Sequence, residues 1–190
     1  MYVMSNAIAN KIYLVAAIFL CFLAVCFSGC INENTTAHAD EKVYEWMDTE
    51  MTNVVTDKTF TLRELAQGTP IVVHIFTTWC PACNAQFGES TAFLENYPGK
   101  AHVVSIDIDE KETPAMIANH VANRGFAGIF AVSERPVVQG LIDLFGQEII
   151  MSIPQTIIIS GDNLVYLGPG VIRSDDIASR IDAIHQQLRR

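Results

Sequence analysis

Apolar positions along the chain fall into short runs and helical stripes that alternate. Ile71-Val72-Val73-His74-Ile75-Phe76 is a six-residue, almost wholly apolar stretch after the loop Gly68-Thr69-Pro70, the length and composition of a buried strand. After it, Cys83, Phe87, Leu94 and Tyr97 recur at helical spacing, which predicts an amphipathic helix opening near Cys80. Val103 to Asp107 reads as a second strand. Thr113-Pro114 supplies a cap and an N1 proline for a helix carrying Met116, Ile117 and Val121 and ending near Gly125. Phe126 to Val132 is strand-like, and Pro136 to Phe145 predicts a helix that Gly146 terminates. Gln155–Ser160 and Leu164–Leu167 form two strands about the turn Gly161-Asp162-Asn163. Ser174 then caps a last helix with Asp175 and Asp176 at its positive end and Ile177, Ile181, Ile184 and Leu188 on one face. Upstream, Trp46 to Thr61 alternates weakly and turns at Asp57-Lys58, predicting a short hairpin at the sheet edge. The order β-α-β-α-β-α-β-β-α implies an α/β domain whose sheet is covered by helices on both faces.

A different pattern occupies the N-terminus. Residues 12–27 are unbroken apolar, preceded by the single charge Lys11 and followed by Ser28-Gly29-Cys30, as in a secretory segment or a short membrane anchor. Since about 20 apolar residues span a bilayer, the run is marginal as a permanent helix unless Ala7 to Asn10 contribute. Phe27-Ser28-Gly29-Cys30 resembles a bacterial-type lipobox, with Phe27 where such boxes usually carry Leu, so lipidation of Cys30, a retained anchor and release are all open. The polar stretch Ile31 to Lys42 reads as a flexible tether, within which Asn34-Thr35-Thr36 fits a glycosylation acceptor. The expected organisation is a signal peptide or anchor over 1–29, a tether over 30–42 and a folded domain over 43–190.

Composition narrows the partners. At 190 residues, 50% hydrophobic and 17% charged, the chain suits one globular domain plus this appendage. Its net charge of −9, which becomes −10 if residues 1–29 and Lys11 are removed, makes nucleic acid a poor partner. Of the five cysteines, Cys21 and Cys26 lie in the apolar run, so the mature chain keeps Cys30, Cys80 and Cys83. An exported domain whose only pair lies at C-x-x-C spacing has no other staple, and a two-residue loop gains little closure entropy. That argues for exchange chemistry.

Trp79-Cys80-Pro81-Ala82-Cys83 sits at the predicted strand-to-helix junction. With Cys80 as N-cap and Pro81 at N1, the free N–H groups of Ala82 and Cys83 point at the Cys80 sulfur and favour its thiolate. C-x-x-C sites place that pKa between about 3.5 and 7, against about 8.5 for a free thiol. A Cys80 thiolate attacking a disulfide gives a mixed disulfide that Cys83, one helical turn on, resolves. The helical pattern predicts a guarded Cys83 and an exposed Cys80.

These features make the chain resemble the thioredoxin-fold proteins, specifically the membrane-anchored TlpA/ResA-type branch of thiol-disulfide oxidoreductases, over about residues 45 to 188. The resemblance rests on Trp79-Cys80-x-x-Cys83, on Ser152-Ile153-Pro154-Gln155-Thr156 before a strand, on the hairpin leading through Phe60-Thr61-Leu62, and on the extra helix-strand segment at about 113 to 133. It implies a thioredoxin-like fold with a central mixed sheet, and a cis Ile153–Pro154 bond facing the dithiol. A cis bond there turns the Ile153 backbone toward an incoming peptide. His74 stands six residues before Cys80, where thioredoxins carry a buried acid and this branch often carries Asn. Two roles are open to it: shuttling the Cys83 proton as general base and acid, or a buried neutral histidine satisfied by hydrogen bonds. Pro81-Ala82 differs from the thioredoxin Gly-Pro pair. Trp79 is expected to shield and shape the rim of Cys80, with Pro81, Ala82 and Ile153. His38, His102, His120 and His185 read as surface or tether residues, and Asp107, Asp109, Glu110 and Glu112 as a solvated loop rather than a metal site.

The resulting expectation is a tethered extracytoplasmic, monomeric oxidoreductase at the cell membrane, reducing protein disulfides with electrons from a membrane partner and with no cofactor. Three alternatives share the cysteines. One is an oxidase or isomerase working at a higher potential. Another is a copper- or zinc-binding assembly factor, which a buried His74 makes hard to complete. A peroxidase lacks a separate peroxidatic cysteine.

Overall fold

The computed structural model describes residues 45–188. The apolar segment 12–27, Cys30, the tether with Asn34, and the expected domain start at Val43 lie outside the described residues. Among the described residues no helix is long and apolar enough to cross a membrane.

The runs fold largely where their patterns place them. A 3-10 turn, Glu45–Asp48, leads to the two-stranded hairpin β1 (Met51–Thr52) and β2 (Thr59–Phe60), with Asp57 at φ 55 in its turn. The short helix α1 (Leu62–Leu65) follows, then β3 (Ile71–Phe76), α2 (Pro81–Asn96), β4 (His102–Asp107) and α3 (Pro114–Arg124). The second half is β5 (Ile129–Val132), α4 (Arg135–Phe145), the single turn α5 (Glu148–Met151), β6 (Gln155–Ser160), β7 (Asn163–Pro169) and α6 (Ser174–Leu188). Strand order in the main sheet is β5-β4-β3-β6-β7, with β3, β4 and β5 parallel and β6 and β7 antiparallel to their neighbours. The mixed sheet flanked by helices is the expected thioredoxin-like α/β architecture. The expected helix-strand insertion is α3 and β5, and Gly125 in the left-handed region (φ 67) ends α3.

The hairpin sits at the sheet edge as its weak alternation suggested: Val54 N–H donates to the Phe130 carbonyl of edge strand β5 at 2.8 Å. Three elements went unread, the first being the 3-10 turn Glu45–Asp48 at the start of the stretch read as a hairpin. Helix α1 is fixed by a capping box, in which Thr61 Oγ1 accepts from Glu64 N–H and Glu64 Oε2 accepts from Thr61 N–H. Helix α5 is one turn that carries the buried Ile149 just before the Ile153–Pro154 segment.

Alternation sorts β3 onto two cores. Ile71, Val73 and Ile75 face one apolar layer with Trp46, Met47, Leu62, Val137 and Leu141. Val72 and Phe76 face the other, where Phe93 and the α6 isoleucines pack at one end and Phe87, Ile117, Val121 and Phe130 at the other. Gly140 lets α4 approach the first layer closely, since a Cβ there would overlap the Trp46 ring. Gly140→Ala should therefore lower stability by about 1–3 kcal/mol, against the small gain alanine gives an open helix position. Denaturant unfolding measures it, and a neutral or stabilising result would contradict this packing.

Candidate active site

The dithiol sits where β3 gives way to α2. Cys80 is the N-cap of α2, Pro81 is at N1, and Cys83 N–H donates to Cys80 Sγ at 3.1 Å. Proline at N1 sacrifices no helical bond, and the first-turn N–H group aimed at sulfur stabilises negative charge on it. Cys80 and Cys83 are joined as a disulfide with Cα atoms 5.2 Å apart. Cys83 is fully buried among Phe76, Phe87 and Phe130, as its place in the helical pattern predicted.

Cys80 corrects an expectation: it is only 5% exposed rather than open to solvent. It belongs to the same apolar cluster as Cys83, with Ile153 packed against it, so an attacking thiol or client meets only its edge. Pro81 and Ala82 beside it are exposed, and Trp79 is 67% exposed with Nε1 donating to Asp109 Oδ2 at 2.8 Å. The indole bond is also the main reason the Asp109 carboxyl lies below its ordinary range.

Facing the pair is the Ile153–Pro154 segment. The bond is cis, Pro154 is buried, and the Ile153 carbonyl oxygen lies 3.9 Å from Cys80 Sγ, placed to accept from the reduced thiol. Beside it opens a cleft of about 390 Å³ lined by Thr77, Trp79, Ile108, Asp109, Met151 and Ile153, with Met151 71% exposed.

His74 lies on the dithiol face of β3 and is fully buried, yet its nitrogens are committed elsewhere. Nδ1 pairs with Thr156 Oγ1 at 3.0 Å and Nε2 with Ser90 Oγ at 2.8 Å. Burial drives its pKa down to about 3, so the ring is neutral at physiological pH. Of the two roles left open for His74, this geometry fits the buried neutral histidine that bridges β6 to α2. Among the described residues no three His, Cys, Asp or Glu side chains gather as metal ligands.

Sequence reasoning missed the polar frame around Cys80. The expected solvated loop holds two buried acids: Asp107 is 0% exposed, and Glu112 is buried with both carboxylate oxygens 3.1 Å from Thr78 N and Oε1 accepting from Thr78 Oγ1 at 2.6 Å. From the other side Asn84 Nδ2 donates to the carbonyls of Cys80 at 3.0 Å and Thr78 at 3.3 Å. His120, expected at the surface, is half-buried with Nε2 2.6 Å from Asn84 Oδ1. Desolvation, then Arg124, lowers its pKa against an opposing pull from Glu112. Buried Gln86 pins the Ile172 backbone, accepting from its N–H at 2.7 Å and donating to its carbonyl at 3.2 Å.

Comparison with known proteins agrees with this geometry. Residues 51–122, which include both cysteines, match the thioredoxin family model. No curated protein matches the sequence. Among solved structures, a secreted Mycobacterium tuberculosis disulfide oxidoreductase homologous to Escherichia coli DsbE superposes with TM-score 0.55 at 19% identity, covering 76% of this chain and 98% of that one. The exposed lipoprotein thioredoxin Etrx1 of Streptococcus pneumoniae gives 0.58 at 18%, covering 71% and 98%. A thiol:disulfide interchange protein of Chlorobium tepidum gives 0.58 at 16%, covering 71% and 91%. At these identities the superpositions establish the fold, while the family match covers the segment that holds the dithiol. With Cys80 and Cys83 bonded at the N-terminus of α2 and a cis-proline opposite, the chain has the thioredoxin fold, and its residues 51–122 are a thioredoxin-family segment.

Proposed function

We propose that this protein is a membrane-tethered, extracytoplasmic reductant of protein disulfides. Cys80 attacks the client disulfide and Cys83 resolves the mixed disulfide, leaving the pair oxidised. One observation supports the reading: Cys83 N–H donates to Cys80 Sγ, where it would stabilise the thiolate released on reduction, while Cys83 itself is sealed in the apolar core. The Ile153 backbone and the cleft along Trp79 and Met151 give an extended client segment a place to lie.

Tethering rests on the apolar run 12–27 and the lipobox-like Cys30, in keeping with an organisation of 1–29 anchor, 30–42 tether and 43–190 domain. Relatives of the same fold described as a secreted oxidoreductase and an exposed lipoprotein support placing it outside the cytoplasm. There a monomeric domain would draw electrons from a membrane partner.

Capture by a Cys83→Ser variant in the cell membrane tests it. A client bound through Cys80 is the expected result, and absence of any mixed disulfide would overturn the exchange role. A potential below about −250 mV fits a reductant, whereas one near −120 mV would make it an oxidase.

A further inference from the structure

The exchange reading leaves one buried group without a task. Asp107 ends β4 on the same sheet face as Phe76, its register partner on β3, and so points into the layer that holds Cys83. Its Oδ1 accepts from Asp109 N–H at 3.3 Å, but its Oδ2 accepts nothing among the described residues, although the side chain is fully buried. A buried carboxylate oxygen with no donor is costly; a protonated carboxyl that donates is not. Glu112 is the neighbouring carboxyl that acts on it, and two adjacent carboxyls can share a hydrogen bond only when one of them carries the proton. Glu112 in turn grips Thr78, two residues before Cys80, through its N–H and its hydroxyl.

We propose that Asp107 and Glu112 act as a proton-sharing carboxyl pair that positions the Thr77–Trp79 turn and couples reduction of the Cys80–Cys83 bond to proton uptake. Asp107 is a positioning residue: it acts on the dithiol through Glu112 and Thr78. The inference rests on the exchange reading. In the step concerned, two thiolates of a dithiol donor give two electrons and become a disulfide, and the Cys80–Cys83 bond breaks. Cys83 sulfur takes one proton and Cys80 remains a thiolate. New negative charge at Cys80 raises the proton affinity of the pair beneath the same turn, and the pair takes up the second proton.

The surroundings agree. Burial first, then Glu112 and Asp109, push the Asp107 carboxyl up to about 7, so it changes charge near neutrality. The ionisable groups facing the pair are Asp109 on the β4–α3 connection and, beside Glu112, His120 on α3 with Arg124 near it. The register neighbours of Asp107, Phe76 on β3 and Val132 on β5, bring no charge.

The test equilibrates the full-length chain and its Asp107→Asn variant with reduced and oxidised glutathione from pH 6 to 8 and compares their equilibrium constants for reduction. Glutathione's own pH dependence cancels in the ratio. The wild-type constant should fall at least about threefold relative to the variant as pH rises, because only the wild type acquires the Asp107 charge that opposes the Cys80 thiolate. A purely structural role would shift the ratio equally at every pH, and a constant ratio overturns the proposal. In the wild type, carboxyl-carbon NMR titration of Asp107 should give a higher midpoint in the reduced than in the oxidised protein. Equal midpoints overturn it even if the variant fails to fold. If the wild type does not equilibrate with glutathione at all, the exchange reading falls and this inference with it.

Discussion

Cys80→Ser should abolish disulfide exchange outright, whereas Cys83→Ser should retain the first attack and stall as a mixed disulfide on Cys80. The asymmetry follows from the helix terminus. Cys80 Sγ receives the Cys83 N–H, while Cys83 is sealed among three phenylalanine rings. Lowering a thiol pKa from about 8.5 to about 7 raises its thiolate fraction at pH 7 roughly fifteenfold. Alkylation of Cys80 in Cys83→Ser should accordingly be at least about tenfold faster than that of Cys83 in Cys80→Ser, with burial widening the gap. Equal alkylation rates, or a stalled adduct on Cys83 instead, would contradict the assignment of attacking and resolving sulfurs.

The second large effect is on stability as pH changes, where two buried groups oppose each other. His74 falls from 6.5 to about 3 on folding, so its contribution is complete above pH 6.5 and is lost as pH drops toward 3, where the unfolded chain takes a proton that the folded one refuses. Asp107 runs the other way. Raised from 3.8 to about 7, it favours the fold at low pH and weakens it as pH climbs, because the folded state keeps a proton that the unfolded state has released. Between about pH 4 and 6.5 the slopes overlap and largely cancel. Asp107→Asn removes one of them. The stability of the variant relative to wild type should rise by about 3 kcal/mol across that interval, one proton's worth per pH unit. Urea unfolding of both proteins at pH 4 and 6.5 measures this, and a pH-independent difference would show that Asp107 titrates normally.

The dithiol was legible because its signals are local. Six apolar residues make β3, proline after cysteine opens α2, and a proline before Gln155-Thr156 marks the facing segment. The capping box at Thr61 and Glu64 was equally local and was overlooked because the helix it starts is only four residues long. The polar frame was not legible at all. Glu112 reaches Thr78 across 34 positions, and His74 finds its hydroxyls 16 and 82 positions away, so partner identity depends on strand register and on where α3 returns. An acidic run such as Asp107 to Glu112 is normally solvated. Here, alternation turns Asp107 inward at the end of β4, and the residue before the α3 cap follows it into the core. Cys80 misled in the opposite sense: an N-cap position suggests exposure, but the Ile153–Pro154 segment and the aromatic cluster cover the sulfur.

The central claim is that Cys80 and Cys83 form one reversible two-electron couple. Full-length protein equilibrated across a glutathione redox series, acid-quenched, alkylated and weighed should show only two species, both cysteines free or both bonded, with a single midpoint. A pair that stays bonded throughout, or cysteines that modify independently, would contradict it.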